Sequence, residues 1–181
     1  MIKLIKLVES SKASIGSKTD SHVLELRLTI NLIEQMDKAI EQVEDEITHI
    51  MKQYDFKTAT IPGIGLISAA SIVSEFENFS KFSSSNQLLS FTGLEPAIYE
   101  SGTQKTYGHI VKRGSSYLRE TIMNVTPFIM NYNPIFYQYY LKKRNEGKCH
   151  RVALTKLKKK LLRVIYFLEI NNIPFDSSKL K

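Results

Sequence analysis

From His22 to Tyr54, apolar residues recur at two alternating positions. Leu26, Ile33, Ile40, Ile47 and Tyr54 stand seven apart, and Thr29, Met36, Val43 and Ile50 fill the second position of the same repeat. The period is 3.5, with β-branched residues dominating the first position, a pattern that favours two-stranded coiled coils. Glu34, Asp37, Glu41, Glu44, Asp45 and Glu46 supply the solvated faces. Four heptads exceed the usual length of a globular helix, so the pattern predicts a protruding helix with a coiled-coil seam. One long helix packed on its own domain is the alternative. The partner of the seam is either a second chain or the segment Met1–Lys12 folded back.

After a linker at Asp55–Ala59 the period changes. Pro62 cannot continue a helix and holds Ile61 extended. Leu66–Phe76 then reads as a helix, with Ser68, Ala69, Ala70 and Ser71 permitting close approach. The serines from Ser80 to Ser85 offer N-caps for a short helix at Ser85–Thr92, and Gly93 suits the position after its end. Pro96–Gly108 lacks helical periodicity and reads as a loop or short hairpin. Ser115 or Ser116 caps a helix to about Asn131 that bends near Pro127, and Asn133-Pro134 starts another through Lys143, broken by Gly147. Arg151–Ile170 is the last long helix, with Leu154, Leu157, Leu161, Val164, Ile165 and Leu168 on its core face. Its other face carries Lys156, Lys158, Lys159, Lys160 and Arg163; the run Lys156–Lys160 is solvated at minimum, with phosphate contact the equal alternative. Before the heptads, Ile2–Val8 is short and apolar, and Ser10–Ser21 reads as a loop or frayed helix. The fold class expected is all-α: a coiled-coil segment over residues 1–57, then a compact helical domain over 58–181.

Charge changes the picture. The chain of 181 residues carries a net +7, yet its first sixty residues are slightly acidic, while residues 61–181 hold 17 basic and 8 acidic side chains. A basic second half interleaved with tyrosines points towards a polyanion such as nucleic acid. No apolar run is long enough to span a bilayer. Met1–Val8 lacks the long apolar region and cleavage site of a secretory signal. The single cysteine, Cys149, excludes an internal disulfide framework and fits a reducing cytoplasm. His22, His49, His109 and His150 are too scattered for a zinc site.

The candidate chemistry lies between Thr60 and Arg119. In Ile61-Pro62-Gly63-Ile64-Gly65 the two glycines allow positive φ and close approach, and a turn before a helix exposes backbone N–H groups where phosphate is favoured. The arrangement is like the hairpin of helix-hairpin-helix modules, which grip phosphates without reading bases. A tight turn with no ligand is the alternative, and the basic charge that follows favours DNA contact. Ser101, in Glu-Ser-Gly-Thr, has Lys105, His109, Lys112 and Arg113 near it in sequence. A serine hydroxyl can attack a phosphodiester when cations offset the developing charge. Spacing alone does not separate such a serine from a structural one. Ser115 and Ser116 are rivals whose position capping explains. Arg113 and Arg119 suit bidentate phosphate clamping. Glu75, Glu77, Glu95 and Glu100 make no convincing metal set, and no Asp occurs between Asp55 and Asp176.

These residues carry a resemblance. Ile61-Pro62-Gly63-Ile64-Gly65, Glu75, Phe82, Gly93-Leu94, Pro96, Ser101-Gly102, Lys112-Arg113-Gly114 and Leu118-Arg119, then Asn133-Pro134, Tyr140 and Gly147-Lys148, resemble the C-terminal transposase-20 domain of the DEDD-type, bridge-RNA-guided insertion-sequence transposases. The similarity runs from Thr60 to about Ile170, and the heptads resemble the coiled coil that joins subunits in that family. The resemblance implies that Ser101 is the nucleophile that becomes linked to DNA. It also implies a separate RuvC-like domain whose four acidic residues hold Mg²⁺. These 181 residues contain no counterpart of that domain, so the chain is expected not to transfer strands alone.

The function expected is therefore the DNA-binding, serine-bearing half of an insertion-sequence transposase or recombinase. Ser101 would be catalytic. Gly63, Ile64, Gly65, Lys105, Lys112, Arg113 and Arg119 would bind nucleic acid. No metal or cofactor is expected in this chain itself. DNA, a guide RNA and further copies of the chain are the expected partners, with no membrane. A non-catalytic nucleic-acid-binding remnant that oligomerises through its coiled coil is the alternative. A purely structural coiled-coil adaptor leaves the basic second half unexplained.

Overall fold

A computed structural model describes residues 20–101, 104–110 and 113–179. The readings of Met1–Val8 and Ser10–Ser21, apart from its last two residues, lie outside the described residues, as does any seam partner drawn from Met1–Lys12. Six α-helices are described: α1 (Asp20–Gln53), α2 (Leu66–Phe76), α3 (Ser85–Phe91), α4 (Ser116–Tyr132), α5 (Pro134–Asn145) and α6 (His150–Asn171). Between α3 and α4 lies an antiparallel hairpin of β1 (Pro96–Ser101) and β2 (Gln104–Ile110). The predominantly helical fold is the one expected. The segment left open as loop or hairpin is a hairpin, with Ser101 opposite Gln104 and Glu100 opposite Lys105.

The chain separates into two compact units, Met1–Asp45 and Glu46–Lys181. In the first, the described residues are the N-terminal part of α1, whose apolar positions are open to solvent: Leu26 is 60% exposed, Ile40 54% and Val43 58%. The unit boundary lies inside α1, N-terminal to the boundary after residue 57 read from sequence. The last turns of α1 count with the second unit because Met51 is buried there and Ile47 packs beside it.

The second unit is built on α6. Leu157, Leu161, Val164, Ile165 and Leu168 recur at three- and four-residue spacing and are buried, the stripe of an amphipathic helix against a core. Around it pack α3, α4 and α5 and the 3₁₀ turn Lys57–Thr60, while α2 packs on α4. Truncating Leu161 to Ala would cost about 2–5 kcal/mol, the usual range for a buried leucine.

The helix ends follow local chemistry. Ser84 caps α3 and Ser115 caps α4, each accepting a backbone N–H with its hydroxyl. Asn133 caps α5, and its side chain accepts from the Ile135 N–H, with Pro134 in the first helical position. Gly93 takes φ +65° after α3, and Gly147 takes φ +79° after α5. The α4 helix runs through Pro127 to Tyr132.

Candidate nucleic-acid interface

The turn before α2 is set by its residues. The Ile64 N–H donates to the Ile61 carbonyl at 3.0 Å across Pro62 and Gly63, and Gly63 has φ +97°. Proline at the second position and a positive-φ glycine at the third are the residues a type II turn requires. On its N-terminal side stands the 3₁₀ turn Lys57–Thr60, where an α-helix is expected in a helix-hairpin-helix module. This turn is held from the far end of the chain. The Glu169 carboxylate accepts from both the N–H and the hydroxyl of Thr58, each at 2.6 Å. The Thr60 hydroxyl accepts from the Phe175 N–H at 2.8 Å.

Gly63 is also pressed against α4. A Cβ there would lie 2.7 Å from the Ile129 Cα, so the position admits only glycine for reasons of packing as well as φ. Ile64 is buried, which leaves its backbone, not its side chain, for any ligand. Gly65 differs. It is exposed, has open space where a Cβ would be, and heads α2 with no side-chain cap on the first N–H groups. Beside it opens a cleft of about 510 Å³ lined by Ser68, Asn124, Phe128 and Tyr132 together with the turn itself.

Arg113 and Arg119 lie at the other end of α4. Ile129, under the turn, is ten residues from Arg119, or about 15 Å along the helix axis. Arg113 is exposed. Arg119 is half-buried and donates from Nη1 to the Thr92 carbonyl at 3.2 Å, so part of its fork serves the fold. Gly114 has φ +107°, and a Cβ there would meet the Phe91 carbonyl oxygen at 1.9 Å. The Ser115 hydroxyl accepts from the Leu118 N–H at 3.0 Å and donates to Glu75 at 2.5 Å. Several residues that the motif series picks out thus join α2, α3 and α4 in this structure.

Ser101 is the last residue of β1 and Lys105 the second of β2, on either side of the hairpin turn. Lys112 lies outside the described residues. Among the carboxylates, Glu77 pairs with Lys81 at 2.6 Å, and this ammonium, through its hydrogen bond and then its charge, holds the Glu77 carboxyl below its usual range. Glu95 accepts from Ser90 at 2.6 Å. Among the described residues, no group of three or more His, Cys, Asp or Glu side chains is placed to hold a metal ion. No described helix is long and apolar enough to cross a membrane.

The segment from the Thr58 anchor through the turn, hairpin, α4 and most of α5 coincides with one family match, to the Transposase IS116/IS110/IS902 family over residues 57–141. Residues 57–141, just under half of the chain, are thus similar to that family. A pilin gene-inverting protein of Moraxella bovis is 26% identical over 171 residues, covering 93% of this chain and 52% of the relative. The transposase for insertion sequence element IS1111A of Coxiella burnetii is 31% identical over 90 residues, 49% of this chain and 25% of its own length. The insertion element IS110 uncharacterized 43.6 kDa protein of Streptomyces coelicolor is 28% identical over 107 residues, 59% of this chain and 26% of the relative. The chain thus spans between about a quarter and a half of the length of these relatives.

Sequence reasoning missed Thr58 and Glu169 as supports of the turn, and Asn124, Phe128 and Tyr132 as its neighbours. Their only local signal is that apolar Phe128 and Tyr132 fall off the buried stripe of α4.

Proposed function

We propose that this chain is the DNA-contacting, serine-bearing half of a transposase or recombinase, and that it assembles with further copies through α1. The observation that carries the reading is the transposase family domain over residues 57–141, which contains the turn, the hairpin and the whole of α4. DNA lies along α4 in this reading. The open N–H groups after Gly65 meet phosphate at one end of the helix, as a hairpin of the helix-hairpin-helix kind would, and Arg113 meets it at the other. Arg119 adds whatever part of its fork Thr92 leaves free, and Lys105 and Lys112 are further proposed phosphate contacts.

Ser101 is the proposed nucleophile. Its oxygen forms a bond to phosphorus, the phosphodiester bond to the neighbouring sugar breaks, and the serine proton ends on the departing sugar oxygen. The carboxylates that would hold Mg²⁺ belong, in this reading, to a separate RuvC-like domain, and a guide RNA would select the target. Ser115 is disfavoured as a rival, because its hydroxyl already caps α4 and binds Glu75.

Two measurements test this. Duplex DNA binding by the chain falls steeply with salt, since neutralised phosphates release counterions; affinity unchanged between low and moderate salt refutes the electrostatic reading. Supplied with a RuvC-like domain, Mg²⁺ and guide RNA, the chain forms a covalent DNA adduct that peptide mass spectrometry maps to Ser101. Ser101→Ala abolishes the adduct and leaves duplex binding within about twofold, as expected for a group that acts in the reaction more than in ground-state binding. An adduct that survives this substitution, or maps to Ser115 or Ser116, removes Ser101 from the role. Binding with no adduct supports the non-catalytic remnant instead.

A further inference from the structure

The outward face of α6 takes no part in the interface along α4. On a helix of 3.6 residues per turn, Lys156, Lys159, Lys160, Arg163 and Phe167 share one side, with Leu157, Leu161, Val164, Ile165 and Leu168 on the buried one. Lys156 and Arg163 are exposed, and the stems of Lys159 and Lys160 are half-covered. The four cations lie within eight residues, about 10 Å of helix, room for several phosphates at the 3.4 Å spacing of one strand of B-form DNA.

No ion pair among the described residues neutralises this face. The described ion pairs are Lys57–Asp55, Lys81–Glu77 and Lys143–Glu146, and none includes these four cations. Glu95, which also accepts from Ser90, offsets part of the repulsion at Lys159 through its charge. Glu169 is engaged by Thr58. The other charges acting on Lys159 and Lys160 are cations. Lys159 feels Lys156 and Arg163, and Lys160 feels Lys142 of α5. Burial, and secondarily this repulsion, holds the Lys159 and Lys160 ammonium groups below their usual range. The Lys160 ammonium lies over the Tyr139 ring, with Nζ 4.6 Å from its centroid. One turn beyond Arg163, the Phe167 ring is 52% exposed. A cationic row continued by an open aromatic ring suits a strand whose bases are unpaired, because a duplex keeps its base faces stacked inside.

We propose that this face of α6 binds single-stranded nucleic acid, with Lys156, Lys159, Lys160 and Arg163 on successive phosphates and Phe167 stacked on an unpaired base. The inference rests on the nucleic-acid reading above but places a second surface on a different helix. The test uses the full chain, a labelled oligo-dT and a labelled oligo-dA·oligo-dT duplex.

Each lost phosphate contact lowers the slope of log affinity against log salt by about 0.7 for a single strand. The variant K156Q/K159Q/K160Q/R163Q therefore lowers the oligo-dT slope by about 2–3. Because Arg163 also reaches Asn86 at 3.4 Å, K156Q/K159Q/K160Q is measured too, and lowers the slope by about 2 with the fold undisturbed. Phe167→Ala weakens oligo-dT binding about tenfold, in the range of one lost base stack, without changing the slope or duplex affinity. An unchanged slope in both lysine variants overturns the proposal, as does a Phe167→Ala loss that is equal for strand and duplex. If the unaltered chain binds duplex DNA but not oligo-dT, this surface falls and the reading along α4 stands. If it binds neither, both fall.

Discussion

Gly63 and Gly65 carry the same motif, yet the structure separates their tasks. Gly63 combines φ +97° with contact at the Ile129 backbone, whereas Gly65 has an ordinary φ of −75° and empty space around it. Any side chain at 63 strains the turn and displaces α4. A substitution such as Gly63→Val, attractive from sequence as a pure binding probe, therefore damages the fold as well. Gly63→Ala is expected to destabilise the chain by about 2–4 kcal/mol through backbone strain and overpacking together. Gly65→Ala is expected to cost under about 1 kcal/mol, the loss of a favoured N-cap residue. Urea unfolding of the two variants side by side checks this; equal costs would mean that the contact with Ile129 is not as described. Gly65 is thus the better position at which to weaken phosphate contact without unfolding the domain, by Gly65→Asp, which sets a carboxylate beside the open N–H groups.

At the scale of elements, α1 is the one helix whose apolar stripe the described structure leaves open. Over Leu26–Val43 that stripe keeps the heptad spacing and stays largely exposed. Near its C-terminal end, burial passes to Ile47 and Met51, four residues apart, and Met51 is not a heptad position. The 3.5-residue period therefore describes the first unit, and ordinary 3.6-residue packing describes the turns that join the second. Since Ile40 is 54% exposed, Ile40→Asp should alter the stability of a single chain by less than about 0.5 kcal/mol. In an assembled seam the same aspartate is desolvated, at a cost of several kcal/mol. Sedimentation equilibrium is expected to show an oligomer for the unaltered chain and a monomer for Ile40→Asp. A monomer in both would mean that the exposed stripe of α1 does not join copies of this chain.

At the scale of the whole molecule, the core holds no described residue N-terminal to Ile47. A chain beginning at Glu46 is therefore expected to unfold cooperatively, with a thermal midpoint within about 4 °C of that of the full chain, equivalent to roughly 1 kcal/mol. Loss of a cooperative transition would show that the first forty-five residues help to hold the domain together. The turn at Ile61–Gly65 should survive this truncation, because Glu169 and Phe175 anchor it from the C-terminal side.

What the sequence determined by itself is what short-range physics controls. Helical periodicity set the positions of α1, α2 and α6, hydroxyl and amide caps marked Ser115 and Asn133, and glycine at positive φ marked the ends after α3 and α5. The type II turn at Pro62-Gly63 was legible for the same reason, since it is written in adjacent residues. Ser101 could be singled out by its motif, but its place beside the hairpin turn needed the pairing with Gln104. Only the tertiary structure decided why Gly63 and Gly114 must be glycine, because the atoms that forbid a side chain belong to Ile129 and Phe91. It alone showed Arg119 partly spent on Thr92, Ser115 tied to Glu75, and Thr58 held by a carboxylate 111 positions away. It also decided that no described ion pair engages the cations of α6. Periodicity and capping act over one or two turns of chain. Partners brought together from distant segments by burial leave no period for a sequence to display.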